Sequence, residues 1–171
     1  MSEQMANVNL NQRTLVVTRI IDAPVEAVWR AWTEPEQVSR WWGPEFYTSP
    51  SCRIDLRVGG RYVFSMLAPQ EMGGGESYTA GMYLKIVPLE LLEFTQGLAD
   101  AGGNRIDPAL AGMPPDFPKE LHTLVTFKAR GQMTELTITE EYWSMSQMYV
   151  YSLAGTHQMI DKLAAYLARE V

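Results

Sequence analysis

Hydrophobic and polar positions change their period three times along this chain, and those changes outline a fold. The first twelve residues, MSEQMANVNLNQ, are polar and aperiodic and read as a tail. Residues 14–21 (TLVVTRII) are rich in β-branched side chains and predict a strand. Ala23-Pro24 breaks it, and Val25, Val28, Trp29 and Trp32 then recur at helical spacing. Thr33 is placed to cap a second short helix, with Pro35 in its first turn and Glu34 and Glu36 near its positive end. Val38, Trp41 and Trp42 supply its apolar side. Adjacent residues do not share a helix face, so only one of Trp41 and Trp42 is expected to point inward.

Beyond Gly43-Pro44 the period falls to two. A strand pair turns at Gly59-Gly60, and within 61–67 the residues Tyr62, Phe64 and Met66 share a face. Gly73-Gly74-Gly75 marks a hairpin tip. Residues 77–87 and 91–96 predict two more strands; Met82, Leu84 and Ile86 share one parity, and Leu92, Phe94 and Gln96 another. Strands over 121–129 and 134–142 follow, with Thr123, Val125 and Phe127 on one face and Glu140 on the parity of Leu136 and Ile138. A helix over about 146–169 closes the chain, its stripe running through Tyr149, Leu153, Thr156, Ile160, Leu163 and Leu167.

This order predicts one α+β domain over 13–171, an antiparallel sheet covered by a long C-terminal helix. The two short helices after the first strand fall across the mouth of the sheet and leave room for a cavity. Residues 97–119 stand apart, with four prolines and four glycines. A connection of that length in a compact domain is functional or poorly ordered, and its position predicts a lid beside the cavity mouth.

Composition narrows the chemistry. Fourteen basic against twenty acidic residues give a net charge of −6, and no basic run offers a phosphate backbone a partner. Nucleic acid is excluded on that ground. Cys52 is the single cysteine, so neither an internal disulfide nor a thiolate metal cluster is available. The N-terminal residues lack the apolar core of a signal peptide, and no apolar run approaches the ~18 residues of a membrane span. A cytoplasmic protein is expected. His122 and His157 have no second ligand at helical spacing, so no metal site is predicted. No G-x-S-x-G elbow, P-loop or G-x-G-x-x-G fingerprint occurs, and no cofactor is implied.

Ala23-Pro24, Val28-Trp29, Ala31-Trp32-Thr33, Pro35, Trp41-Trp42-Gly43-Pro44, Asp55, Gly59-Gly60, Gly81, Pro88 and Leu92 stand together in an order and spacing that resemble the START-like (SRPBCC) superfamily. Within it they are most similar to the branch named for the C-terminal domain of the heat-shock protein 90 ATPase activator. The resemblance implies a helix-grip fold, a sheet of about seven strands wrapped around the C-terminal helix with a cavity between them. It implies binding of apolar or amphipathic small molecules, with cyclisation or dehydration in a few members. The eukaryotic co-chaperones join this domain to another that is not found here, which argues against a heat-shock protein partner. A homodimer is compatible with the branch, although nothing in the sequence points to one independently.

Residues level with the first half of the last helix are the candidates for ligand binding. They are Trp42, Tyr62, Phe64 and Met66 from the first half of the chain, Met82, Phe94, Gln96 and Glu140 from the sheet, and Tyr149, Ser152, Leu153 and Thr156 from the helix. Ten methionines would make such a wall pliable. The leading expectation is a cavity for a small apolar or aromatic molecule. A cyclase- or dehydratase-type enzyme would instead use Glu140, Gln96, Tyr62 or His157 for proton transfer, and would need two titratable groups converging in the cavity. A protein-interaction module would use Trp41 or Trp42 and the exposed face of the sheet. For Glu140 the plainer expectation is a solvated or arginine-paired carboxylate at a strand end.

Overall fold

Strand β1 (Gln12–Ile21) forms one edge of a seven-stranded antiparallel sheet and β2 (Cys52–Ile54) the other. Between them stand β7 (Met133–Ser144), β6 (Leu121–Arg130), β5 (Leu91–Ala99), β4 (Glu76–Val87) and β3 (Arg61–Leu67), in that spatial order. The connection from one edge to the other carries α1 (Val25–Thr33) and α2 (Pro35–Val38), and α3 (Gln147–Arg169) packs along the sheet. Single 3-10 turns lie at Gln70–Met72 and Pro108–Ala111. This computed structural model describes residues 12–144 and 147–169. It is the helix-grip arrangement, an α+β fold.

The helices follow their sequence with one difference. Pro24 is extended and leads directly into α1. Thr33 does not cap α2; its hydroxyl donates back to the Trp29 carbonyl at 2.8 Å, and Glu34 takes the cap position without a side-chain bond. Helix α2 is only four residues long, and turns carry the chain through Trp41. Adjacent residues in a turn are free of the one-face rule, so Trp41 and Trp42 are both buried, at 0% and 5% exposure. The expectation that one of them faces outward is corrected. Trp41 donates its indole N–H to the Ala31 carbonyl at 2.9 Å, and its ring lies 4.7 Å from that of Trp32.

Ile160, Leu163 and Leu167 of α3 fill the core beside Val28, Val125 and Leu136. Each such side chain contributes about 1.5–3 kcal/mol by leaving water. Two β-bulges break the strand alternation. One adds a residue to β4 between Tyr83 and Lys85, so Tyr83 faces the core with Phe94 while Ile86 returns to the core side opposite Leu92. Met82 and Leu84 consequently stand outside, 39% and 37% exposed. The second bulge adds a residue to β7, where Leu15 pairs with Glu140 but Arg13 pairs with Trp143. It turns Trp143 inward. Gly81 is a position where no side chain fits, because an added Cβ would run into the Thr95 carbonyl, which itself accepts the Tyr62 hydroxyl at 2.7 Å.

Strand β5 runs three residues further than expected, so the insert begins as a continuation of the sheet. Arg53 and Arg61 donate to the carbonyls of Ala101 and Gly103 at 2.6 and 2.8 Å and pin this first part. The second part holds itself together locally, with the Asp107 carboxylate accepting the Ala109 N–H at 3.0 Å.

Candidate functional site

A cavity of about 590 Å³ lies between the sheet and the first half of α3. Met66, Thr79, Gln96 and Glu140 form its sheet wall, one from each of β3, β4, β5 and β7. Ser152, Thr156 and Met159 face them from α3. Trp42 and Tyr47 close one side, and Met113 and Phe117 of the insert close another. Gly155 opens the helix wall, since its nearest neighbour to an added Cβ is the Pro44 ring at 3.9 Å. Tyr151, 57% exposed, stands where the cavity meets solvent. The volume lies within the ~300–1,000 Å³ range of small-molecule sites, and most of the surface is apolar.

Glu140 is the chemical centre of this wall. It is 8% exposed, and its Oε2 accepts the indole N–H of Trp143 at 2.9 Å. Burial pushes its carboxyl above the ordinary 4.5, and the Trp143 hydrogen bond partly opposes that rise. Oε1 has no protein partner among the described residues. Gln96 stands nearby in the sheet; its Oε1 accepts the Thr123 hydroxyl at 3.2 Å, and Thr123 is paired directly with Glu140. The Trp42 indole N–H is buried without an acceptor. Among the described lining residues no Lys, Arg or His is present to balance Glu140.

The loop carrying Trp42 and Tyr47 is held by Lys162 of α3. Its Nζ donates to the carbonyls of Gly43 at 3.1 Å and Tyr47 at 2.9 Å, with those of Trp42 and Pro44 at 3.4 Å. Burial lowers the Lys162 pKa from its ordinary value. A hollow of about 670 Å³ on the far side of Lys162, between α2 and α3, is a surface groove walled by Glu36, Arg40 and Arg169. Such charged walls suit an apolar ligand poorly.

Six of the predicted residues come together in the cavity wall: Trp42, Met66, Gln96, Glu140, Ser152 and Thr156. Tyr62, Phe64 and Phe94 lie in the core behind it, the Tyr62 ring centroid 4.7 Å from that of Phe64 and 5.4 Å from that of Phe94. Met82 is outside altogether, on the outer side of the β4 bulge. Tyr149 and Leu153 pack on a separate cluster of Leu15, Val17, Leu121 and Trp143. The apolar stripe of α3 marks residues pressed on the sheet; the cavity borders the face about 100° away, through Ser152, Gly155 and Met159. Glu140 is neither solvated nor paired with an arginine, against expectation. Of the groups named for proton transfer, the Tyr62 hydroxyl is committed to Thr95 and His157 is exposed and outside the lining. Sequence reading missed Trp143, Tyr47 and Phe117; the only signal for Trp143 was its place one residue past the expected strand end.

A seven-stranded sheet gripping a C-terminal helix, with an apolar cavity between them, defines a START-like domain. The chain belongs to the family described as Activator of Hsp90 ATPase homolog 1-like protein, whose model matches residues 22–168. A crystal structure from Chromobacterium violaceum is similar at 27% identity, covering 90% of this chain and 96% of that one, with a TM-score of 0.70. A solution structure from Arthrobacter aurescens is similar at 25% identity, covering 91% and 86%, with a TM-score of 0.74. The AHSA1 protein from Silicibacter pomeroyi, 22% identical over 93% and 100% of the two chains, shares the fold at a TM-score of 0.72. No curated protein matches this chain.

Proposed function

We propose that this protein binds a small apolar or aromatic molecule in the cavity between the sheet and α3. The observation that carries the reading is the cavity itself, about 590 Å³ and walled by methionine and aromatic side chains. The START-like fold supports it, since proteins of this fold commonly bind hydrophobic ligands. Proton-transfer catalysis has weaker support, because Glu140 alone among the named candidates is a titratable group in the wall. An interaction surface built on Trp41 or Trp42 has none, both being buried.

Nile red, a neutral apolar dye, tests the reading. It is expected to bind at one site per chain with a blue-shifted emission, and Gly155→Phe is expected to abolish binding by filling the space beside Pro44 while the circular dichroism spectrum is retained. Undiminished binding to a folded Gly155→Phe variant would place the dye elsewhere and remove the proposal.

A further inference from the structure

We infer that the preferred ligand is an apolar molecule bearing a protonated amine, its ammonium held by Glu140 and its hydrocarbon body lying among the aromatic and methionine side chains. The inference rests on the binding reading above and adds the charge of the ligand to it.

Three observations converge. Glu140 is 8% exposed, lines the cavity, and has one carboxylate oxygen bonded to Trp143 and the other without a protein partner among the described residues. A buried carboxylate without a counter-charge is costly, and its best complement is a cation brought into contact. The described lining residues supply no such cation, so the space is open to one carried by a ligand. The rings of Trp42, Tyr47, Phe117, Trp143 and Tyr151 also line the cavity, and their negative faces favour an ammonium group. A carboxylate ligand would meet Glu140 with no cation among the described lining residues to offset it. A neutral alcohol could hydrogen-bond to the free oxygen, but would leave the carboxyl without a counter-charge and gain less from the rings. The net charge of −6 adds a weaker, long-range preference of the same sign.

Three probes of matched shape separate these cases: 2-naphthylethylamine, 2-naphthylethanol and 2-naphthylacetic acid, measured by calorimetry on the full chain at neutral pH. The amine is expected to bind at least ~10-fold more tightly than the alcohol, with the acid weakest, a tenfold ratio being about 1.4 kcal/mol. Glu140→Gln keeps an acceptor for Trp143 and is expected to cost the amine about tenfold while moving the alcohol less than about twofold. An alcohol that binds as tightly as the amine, or an amine unaffected by Glu140→Gln, would overturn this inference and leave the cavity reading standing. Failure of all three probes together with Nile red would overturn both. Should Glu140→Gln not fold, the wild-type rank order alone decides.

Discussion

Lys162 Nζ donates to the Tyr47 carbonyl oxygen at 2.9 Å, a bond that ties the middle of α3 to a loop 115 residues earlier. With the Gly43 carbonyl at 3.1 Å, it makes the ammonium a fixed peg for the part of the cavity wall that has no sheet pairing of its own. Lys162→Met is expected to lower stability by about 1–2 kcal/mol, because partly buried carbonyls lose their donor. Amide exchange of residues 43–47 should quicken more than that of the sheet, and an unchanged exchange pattern would argue that the loop holds itself.

The Trp143–Glu140 bond is the second test. Trp143→Phe keeps an aromatic ring against Phe117, which lies 5.9 Å away, but removes the indole donor. The variant is expected to be about 1–2 kcal/mol less stable, and the Glu140 pKa should rise further, since that hydrogen bond is what holds it down. A carbon-13 carboxyl titration reads the shift directly. A Glu140 pKa that falls or stays put would contradict the assignment.

The buried carboxyl also makes a prediction about acid. Its folded pKa is raised above 4.5, so the native state holds this proton more tightly than the unfolded chain. The contribution of Glu140 is therefore fully present below about 4.5 and is lost as pH climbs through the raised value. Glu140→Gln should flatten that part of the stability profile and exceed the wild type at neutral pH, the gap closing near pH 4. Urea denaturation across pH 4–8 checks it; a steeper profile in the variant is the contrary result.

On the outer face of the sheet, His122 lies between two carboxylates, with Nε2 2.7 Å from Glu93 and Nδ1 3.0 Å from Glu141. Burial works against its proton, but the hydrogen bonds and charges of Glu93 and Glu141 prevail and raise its pKa above 6.5. The imidazolium thus clamps β5, β6 and β7. Its contribution is complete below about 6.5 and lost as pH rises through the folded pKa, which is the same sign as for Glu140 but a higher window. His122→Gln should remove the slope above 6.5 alone. Since these groups are partly exposed, the effect is modest, about 1 kcal/mol or less. Thermal melts at pH 6 and 8 suffice, and equal pH sensitivity in both proteins would count against the clamp.

How far these features can be read from sequence depends on where regular geometry holds. Leu136, Ile138 and Glu140 alternate without interruption, and simple parity places all three on the core side. Met82 and Trp143 defeat the same rule, because each lies next to a bulge that a pattern of period two cannot register. Trp42 defeats the helix rule because α2 stops four residues before it. Tyr149 and Leu153, expected in the cavity wall, pack on the separate cluster instead, since the stripe reports pressure on the sheet rather than the space beside it. Pro24 marks the start of α1, and Gly81 marks a close backbone approach in the middle of β4; at both the backbone itself imposes the residue. The shape of an enclosed space depends on which residues are absent from it, and no local pattern encodes that.

The extra residue in β7 divides one strand into two runs whose inward-facing residues follow opposite parity. Upstream, Leu136 and Ile138 lie in the core; downstream, Trp143 turns to the cavity wall and donates to Glu140. A lineage that deleted that single residue would keep its core and swing a different side chain toward the cavity. The lining of the cavity can thus change with strand length rather than by replacement of the residues already in it. Relatives at 22–27% identity that share this fold are best compared by strand register at that point before any residue of the site is matched.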